Sequence, residues 1–251
     1  MLKFIESVLA MVEMELRRLR HDPLEIVTRA VQPILWVAVF GVVMARRVAV
    51  GIEDYKSFIA PGVVLQSATF IALAYGIMMV FERESGILKK LLSSPIPRES
   101  IVVGRALAGG VRASTQYVIV LASAALVGAR FTSNLLLLVA GYLAVVYACV
   151  GFTAISILMA SLMKTRERFM GIVGAISMPL FFTSNALYPL DIMPEAIKLI
   201  AIANPITYTV DLLRKLVLYG EADVFRDLLV ITLFNVVAVL IAIKELNKII
   251  E

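Results

Sequence analysis

The chain has 251 residues, of which 61% are hydrophobic, and its mean hydropathy is +0.92. Soluble domains are about 45–50% apolar, so this excess of apolar residues cannot be buried inside one globular core. The net charge is +5, but no basic run is interleaved with aromatic residues as in nucleic-acid-binding proteins, and the single cysteine, Cys149, rules out a disulfide framework. The composition therefore predicts an integral membrane protein.

Residues 1–24 are predicted to form an amphipathic helix. Its apolar side chains recur every three or four residues, at Ile5, Leu9, Val12, Leu16 and Leu19. This spacing places them on one face of a helix, with charged residues on the other. A charged amphipathic helix before a membrane span is typical of a helix that lies in the membrane interface, and a packed surface helix is the alternative.

Six longer apolar stretches follow, each able to cross the hydrocarbon core as a helix. They are residues 27–45, 58–81, 103–129, 134–163, 169–187 and 228–243. None of them contains Asp or Glu, which argues against a secondary carrier driven by protons or sodium, because such carriers usually place an ionisable group in the membrane. Arg105 and Arg112 lie seven residues apart on one face of the third stretch, so both are expected near the headgroups or pointing into the protein.

The distribution of basic residues predicts the orientation. If the N-terminus faces the cytoplasm, the cytoplasmic segments hold about two thirds of the 24 lysine and arginine residues, in agreement with the positive-inside rule. Six spans then place both termini in the cytoplasm. We therefore predict one all-α membrane domain, residues 1–251, in the plasma membrane.

The sequence lacks the motifs of several enzyme classes. No phosphate-binding loop G-x-x-x-x-G-K-[ST] occurs, so the chain is not expected to bind or hydrolyse ATP itself. Neither G-x-S-x-G nor H-E-x-x-H is present, and the one histidine, His21, is expected at the surface. The sequence predicts no enzyme, cofactor or metal site on this chain.

The segment between the second and third stretches is the most distinctive part of the sequence. It reads F-E-R-E-S-G-I-L-K-K-L-L-S-S-P-I-P over residues 81–97. The pattern predicts a short cytoplasmic helix with an apolar stripe of Ile87, Leu88, Leu91 and Leu92, ended by Pro95 and Pro97. An exposed apolar stripe is unfavourable unless something covers it, so the helix is expected to bind a partner or to rest on the membrane surface.

Two patterns are shared with a known family. The first comprises Glu82, Arg83, Glu84, Gly86, Leu88, Leu91, Leu92, Pro95, Arg98 and Gly104. The second comprises Tyr188-Pro189, Met193-Pro194, residues 203–208 and Asp211-x-x-Arg214. With both patterns at these places in a six-span frame, the chain resembles type-2 ABC transporter permeases, the membrane subunits of drug, polysaccharide and lipo-oligosaccharide exporters of the daunorubicin-resistance and nodulation type.

The resemblance implies an assembly of two six-span subunits with two separate ATPase subunits, which bind ATP and Mg²⁺. It implies a coupling helix that docks on the ATPase, with the residues Glu82, Arg83, Gly86, Leu88, Leu91, Leu92 and Pro95. It also implies re-entrant helices between the fifth and sixth spans, which form an outer gate with the residues Pro189, Pro194, Asn204, Pro205 and Tyr208. Both a homodimer and a heterodimer of permeases fit this pattern.

In this family the pathway lies between the two permease subunits and is lined by the second and fifth spans. The residues that this implies here are Gln66, Thr69, Phe70, Ser177, Phe181, Thr183, Ser184 and Asn185. Apolar surface with a few hydroxyls and amides suits a lipidic, drug-like or glycan substrate, and helix packing is the alternative role of each residue. An importing or ion-extruding member of the family and a non-transporting membrane scaffold are the alternatives to an exporter.

Overall fold

A computed structural model of the chain describes residues 2–21, 23–45, 54–93, 96–163, 165–221 and 223–248. Within these residues the α-helices are α1 (Leu2–His21), α2 (Pro23–Leu35), α3 (Val42–Ala45), α4 (Tyr55–Ala74), α5 (Ile77–Glu84), α6 (Ile87–Leu92), α7 (Arg98–Ala113), α8 (Thr115–Leu126), α9 (Leu135–Leu162), α10 (Arg166–Phe182), α11 (Glu195–Ala203), α12 (Pro205–Arg214) and α13 (Phe225–Lys248). Two π-helical segments extend α2 and α12, at Trp36–Gly41 and Lys215–Tyr219, and a 3-10 turn at Leu190–Ile192 precedes α11.

Four helical segments among the described residues are long and apolar enough to cross a membrane. They are Val27–Met44, Tyr55–Glu84, Leu135–Leu162 and Phe225–Leu246, which overlap the predicted first, second, fourth and sixth spans. The predicted third span is divided at Ser114 into α7 and α8, and the predicted fifth falls on α10, which has 17 residues. A bent helix pair, Glu195–Ala203 with Pro205–Tyr219, supplies a fifth crossing if it is counted as one span. The six-span layout therefore stays a prediction.

The Tyr55–Glu84 segment is the central helix of the described fold. Of the residues in its most apolar stretch, 83% are buried within the chain, against 22% for Val27–Met44 and 28% for Phe225–Leu246. Within this segment, α4 packs against α7, α8, α9, α10 and α12. The first and last candidate spans are thus peripheral, and their exposed apolar side chains suit contact with lipid.

Small residues let α7 lie directly on α9. A Cβ added to Gly110 would lie 2.7 Å from the carbonyl oxygen of Val146, and one added to Gly109 would overlap the side chain of Thr153. Close approach at small residues is the usual way in which membrane helices gain packing contacts, since lipid gives them no hydrophobic driving force. As α7 also packs against α1, it joins the N-terminal helix to the bundle.

The N-terminal helix α1 presents two different apolar faces. The stripe that the sequence predicts is exposed at Ile5 (48%), Leu9 (61%) and Leu16 (51%), whereas Val8 and Glu15 are buried. Val12 and Leu19 of the same stripe are partly buried, and the exposed members suit the interfacial placement that the sequence predicts. The buried carboxylate of Glu15, at the edge of this stripe, is a feature that the sequence pattern did not predict.

Candidate functional site

The chain changes direction at Gly86, between α5 and α6. Its φ is +75°, in the left-handed region, and an added Cβ would meet nothing within 4 Å. Because a residue with a Cβ is strained there by about 1 kcal/mol or more, the backbone conformation and not the available space requires glycine. Gly86 thereby separates the coupling helix α6 from the end of the central helix.

The short helix α6 uses part of its apolar stripe inside the chain. Leu88 is 3% exposed and Leu91 is half-buried, whereas Ile87 is 49% exposed and both Lys89 and Lys90 face outward. The side chain of Leu92 and all of Pro95 lie outside the described residues. Among the side chains of α6 that the structure describes, those of Ile87, Lys89 and Lys90 are therefore the exposed ones that a partner could contact.

The two carboxylates at the end of α5 bind two different helices. Glu82 forms an ion pair with Arg105 of α7, and both side chains are largely buried. Glu84 accepts a hydrogen bond of 2.7 Å from Nε of Arg166, at the start of α10. The Arg166 guanidinium also lies over the ring of Phe81, 4.6 Å from its centre.

Arg83, between these carboxylates, binds a third part of the chain. Its guanidinium donates hydrogen bonds to the carbonyl oxygens of Ser161 (2.7 Å) and Met163 (3.0 Å), where α9 ends. A helix end has unpaired carbonyls that basic side chains can satisfy. Three consecutive charged residues thus fasten the predicted coupling segment, which the structure describes over residues 82–93, to α7, α9 and α10.

A cavity of about 520 Å³ lies beside this segment, between α1, α5, α6 and α7. Met11, Met14, Met78 and Leu91 line its apolar part, and Arg18 lies at its edge. The volume falls in the range of ligand pockets, about 300–1,000 Å³. The cavity lies between α1 and the predicted coupling helix α6, and Ile87 of α6 also lines it.

The predicted gate lies in residues 188–219, where the chain bends by 80° between α11 and α12. Asn204 stands at the bend and accepts a hydrogen bond of 3.0 Å from the backbone N–H of Ile206, which caps α12, and Pro205 occupies the first helical position. The Asn204 amide also donates to the carbonyl oxygen of Leu180 (2.6 Å).

The Tyr208 hydroxyl, also in α12, donates to the carbonyl oxygen of Ile202 in α11. Of the other predicted gate residues, Pro189 precedes the 3-10 turn and Pro194 precedes α11.

Polar residues of α12 form a row that faces the end of α10. Asn204, Thr207, Asp211 and Arg214 are spaced by three and four residues, which places them on one helical face. The Asn185 amide donates to Asp211, and Arg214 donates to the carbonyl oxygens of Asn185 (2.9 Å) and Ala186 (3.1 Å). This row connects the bent pair to the turn that follows α10.

Arg214 also binds the first turn of α4. Its guanidinium donates to the carbonyl oxygen of Phe58 (3.3 Å) and stacks on the Phe58 ring, 3.6 Å from the ring centre. The sequence pattern contained Arg214 but gave it no role. The available signal was an arginine in an apolar helix, which needs a set of internal partners.

The predicted pathway residues fall in two groups, both next to the first candidate span. Gln66 and Phe70 line a cavity of about 90 Å³ together with Arg29 and Gln32 of α2. The buried hydroxyl of Thr69 has no hydrogen-bond partner within the described residues.

In the second group of predicted pathway residues, Phe181 packs edge-on against Trp36, with ring centres 5.8 Å apart. Ser184 and Asn185 are buried within the chain, Ser177 and Thr183 are half-buried, and the pathway role of both groups stays a prediction.

Comparisons with known proteins cover both candidate regions. The model of the ABC-2 type transporter family matches residues 6–218. The chain is 26% identical over 264 residues to the transport permease ycf38 of Cyanophora paradoxa, which covers 98% of this chain and 91% of that protein. It is 23% identical over 207 residues to the daunorubicin resistance ABC transporter permease protein DrrB1 of Streptomyces coeruleorubidus, covering 81% of this chain and 71% of that protein. The doxorubicin resistance ABC transporter permease protein DrrC of Mycobacterium tuberculosis is 24% identical over 222 residues, covering 86% and 79%.

Proposed function

Since this chain belongs to the ABC-2 type transporter family, we propose that it is the permease subunit of an exporter that is driven by a separate ATPase subunit. The observation that carries this proposal is the attachment of the coupling segment. Glu82, Arg83 and Glu84 fasten it to three helices, while Ile87 and two lysines stay accessible from outside. A segment that is fixed to the bundle and exposes an apolar side chain is suited to pass a partner's movement to the bundle.

The proposed assembly has two permease subunits and two ATPase subunits. ATP and Mg²⁺ bind to the ATPase subunits, which agrees with the lack of a phosphate-binding loop in this sequence. Both permease termini and the coupling segment face the cytoplasm, and the membrane is the plasma membrane. Lys89 and Lys90 give the docking surface a positive charge, so acidic residues are expected around the matching groove of the ATPase.

The proposed substrate is lipidic, an amphipathic drug-like molecule or a glycan. Two relatives bear names that refer to resistance to daunorubicin and doxorubicin, which are planar apolar molecules with polar substituents. The predicted pathway residues combine aromatic rings, hydroxyls and amides, and such a lining suits molecules of this kind.

Substitution of Ile87 tests the coupling role. In inverted membrane vesicles that contain the permease and its ATPase subunit, ATP-dependent uptake of doxorubicin is expected to be lost with Ile87→Asp and retained with Ile87→Val. Because about half of the Ile87 side chain is exposed, both variants are expected to fold. An Ile87→Asp permease that transports at the normal rate would show that α6 does not couple the two subunits. Export from cells appears as uptake into these inverted vesicles, so ATP-dependent release of doxorubicin from preloaded inverted vesicles would identify an importer.

A further inference from the structure

Glu15 has no exposed side-chain surface, although most of α1 is exposed. One of its carboxylate oxygens forms an ion pair with Arg112 of α7. The other accepts a hydrogen bond of 3.1 Å from the hydroxyl of Tyr75, at the break between α4 and α5. Both oxygens of this buried carboxylate therefore have partners, as the burial of a charge requires.

A second ion pair lies on the same face of α7. Arg105 precedes Arg112 by seven residues, which is two helical turns, and pairs with Glu82 of the coupling segment. One helix thus holds α1 through Arg112 and the coupling segment through Arg105. The Tyr75–Glu15 hydrogen bond joins α1 to the residues between α4 and α5. As a result α1, α5 and α7 are each connected to the other two.

Attachment of α1 to the bundle does not by itself require a charge. Met11 already fits against Gly104 of α7, where an added Cβ would lie 2.7 Å from the methionine sulfur. Apolar residues that replace a buried ion pair are often neutral or stabilising. A hydrogen-bonded ion pair at this position instead fixes the orientation of α1 relative to α7, because its geometry is directional.

We propose that Glu15 is a positioning residue that makes α1 move together with the coupling segment. This proposal rests on the proposed function, in which an ATPase moves that segment. Movement of the coupling segment reaches α7 through Arg105 and reaches α1 through Arg112. Since α2 begins at Pro23, directly after α1, and Trp36 beyond it contacts Phe181, the movement is delivered to the first candidate span and to the predicted pathway.

Spin labels on the purified permease test the mechanical connection without any ATPase. Labels on Arg20→Cys and Lys90→Cys report the distance between α1 and α6, because both positions are exposed and the native Cys149 is fully buried. A narrow distance distribution is expected for the normal chain and a broad one after Glu15→Gln. The matched control is Glu13→Gln on the same helix, where the pair with Arg17 is exposed, and its distribution is expected to stay narrow.

Reversal of the charges separates positioning from simple packing. In the double variant Glu15→Arg with Arg112→Glu the ion pair is restored, and the narrow distribution is expected to return. In Glu15→Met with Arg112→Met the site is apolar, so the chain is expected to fold while the distribution stays broad. A narrow distribution in Glu15→Gln, or in the double methionine variant, would overturn the proposal.

Transport per ATP hydrolysed, measured with the complete permease–ATPase complex, gives the functional readout. Glu15→Gln is expected to lower this ratio by about tenfold, while the rate of ATP hydrolysis stays the same. A tenfold change lies within the usual range of coupling between two sites of one protein. An unchanged ratio would overturn the proposal. If the normal complex transports nothing, the proposed function fails, and the distance measurement still decides whether Glu15 joins α1 to the coupling segment.

Discussion

Arg214 lies at the end of α12, and its guanidinium holds together backbone from two other parts of the chain. Its side chain is 5% exposed and donates to carbonyls at Phe58, Asn185 and Ala186. Asp211, 3.8 Å away, is the carboxylate that compensates the charge. Because a planar guanidinium can serve several carbonyls and stack on a ring at once, lysine is a poor substitute here.

Arg214→Met is expected to lower the free energy of unfolding by about 1–3 kcal/mol, because the carbonyl oxygens of Phe58, Asn185 and Ala186 lose the donor that the guanidinium provides. Thermal unfolding in detergent, followed by the fluorescence of the single tryptophan, Trp36, measures this effect. The control is Arg226→Met, an exposed arginine whose guanidinium lies 5.8 Å from the centre of the Tyr208 ring, which is expected to change little. Equal unfolding temperatures for Arg214→Met and the normal chain would contradict the role assigned to Arg214.

Glu15 shows why a helical pattern alone did not find the buried network. Its carboxylate stands three residues after Val12 and four before Leu19, on the border of the predicted apolar stripe. This position was a signal that one glutamate of α1 faces the protein. The sequence does not reveal its partners, because Arg112 and Tyr75 are brought to it by the packing of α7 and α4.

At the scale of elements, the bend between α11 and α12 could be predicted from the sequence. The contact that holds this bend against α10 could not. Asn204 before Pro205 is a typical helix start, because the side chain caps the helix and proline fits its first position. In the structure Asn204 caps α12 in this way, and its amide also donates a hydrogen bond to the carbonyl oxygen of Leu180, 24 residues away. A local pattern cannot predict a contact that depends on where α10 ends.

Removal of the Asn204 side chain separates its two roles. Asn204→Ala is expected to destabilise the first turn of α12 by about 1–2 kcal/mol and to speed hydrogen exchange at the Ile206 amide. Asn204→Asp keeps the capping oxygen but loses the donor to Leu180, so the Ile206 amide is expected to stay protected.

The control for this prediction is Asn134→Ala, which removes the cap of α9 and is expected to expose the Leu136 amide and not that of Ile206. If Ile206 exchanges at the same rate in Asn204→Ala as in the normal chain, the capping role is wrong.

At the scale of the whole molecule, hydropathy predicted the long apolar helices, but it carries no information about charges that are compensated by distant parts of the chain. The predicted first, second, fourth and sixth spans overlap helical segments that contain an apolar stretch long enough to cross a membrane. The predicted third span contains Arg105 and Arg112, which lower its hydropathy, yet both arginines pair with carboxylates of other elements. A scale that counts residues along one helix cannot include partners on α1 and α5.

The orientation of this fold can be tested with two single cysteines. If the coupling segment is cytoplasmic and the bent pair lies at the outer face, a membrane-impermeant maleimide is expected to label Asp191→Cys in intact cells. It is expected to label Lys90→Cys after the membrane has been permeabilised and not before. Both positions are exposed, so a lack of labelling reflects the side of the membrane and not burial.

The native Cys149 is not expected to react with the maleimide, because its side chain is fully buried. The chain without an added cysteine therefore serves as the unlabelled control. The prediction follows from the excess of lysine and arginine on one side of the apolar stretches, which sets the orientation of membrane helices. Labelling of Lys90→Cys in intact cells would place α6 outside the cell, where no ATPase subunit has access to ATP. That single outcome would reverse the topology and remove the coupling role of Glu82, Arg83 and Glu84 together, since all three act through the same segment.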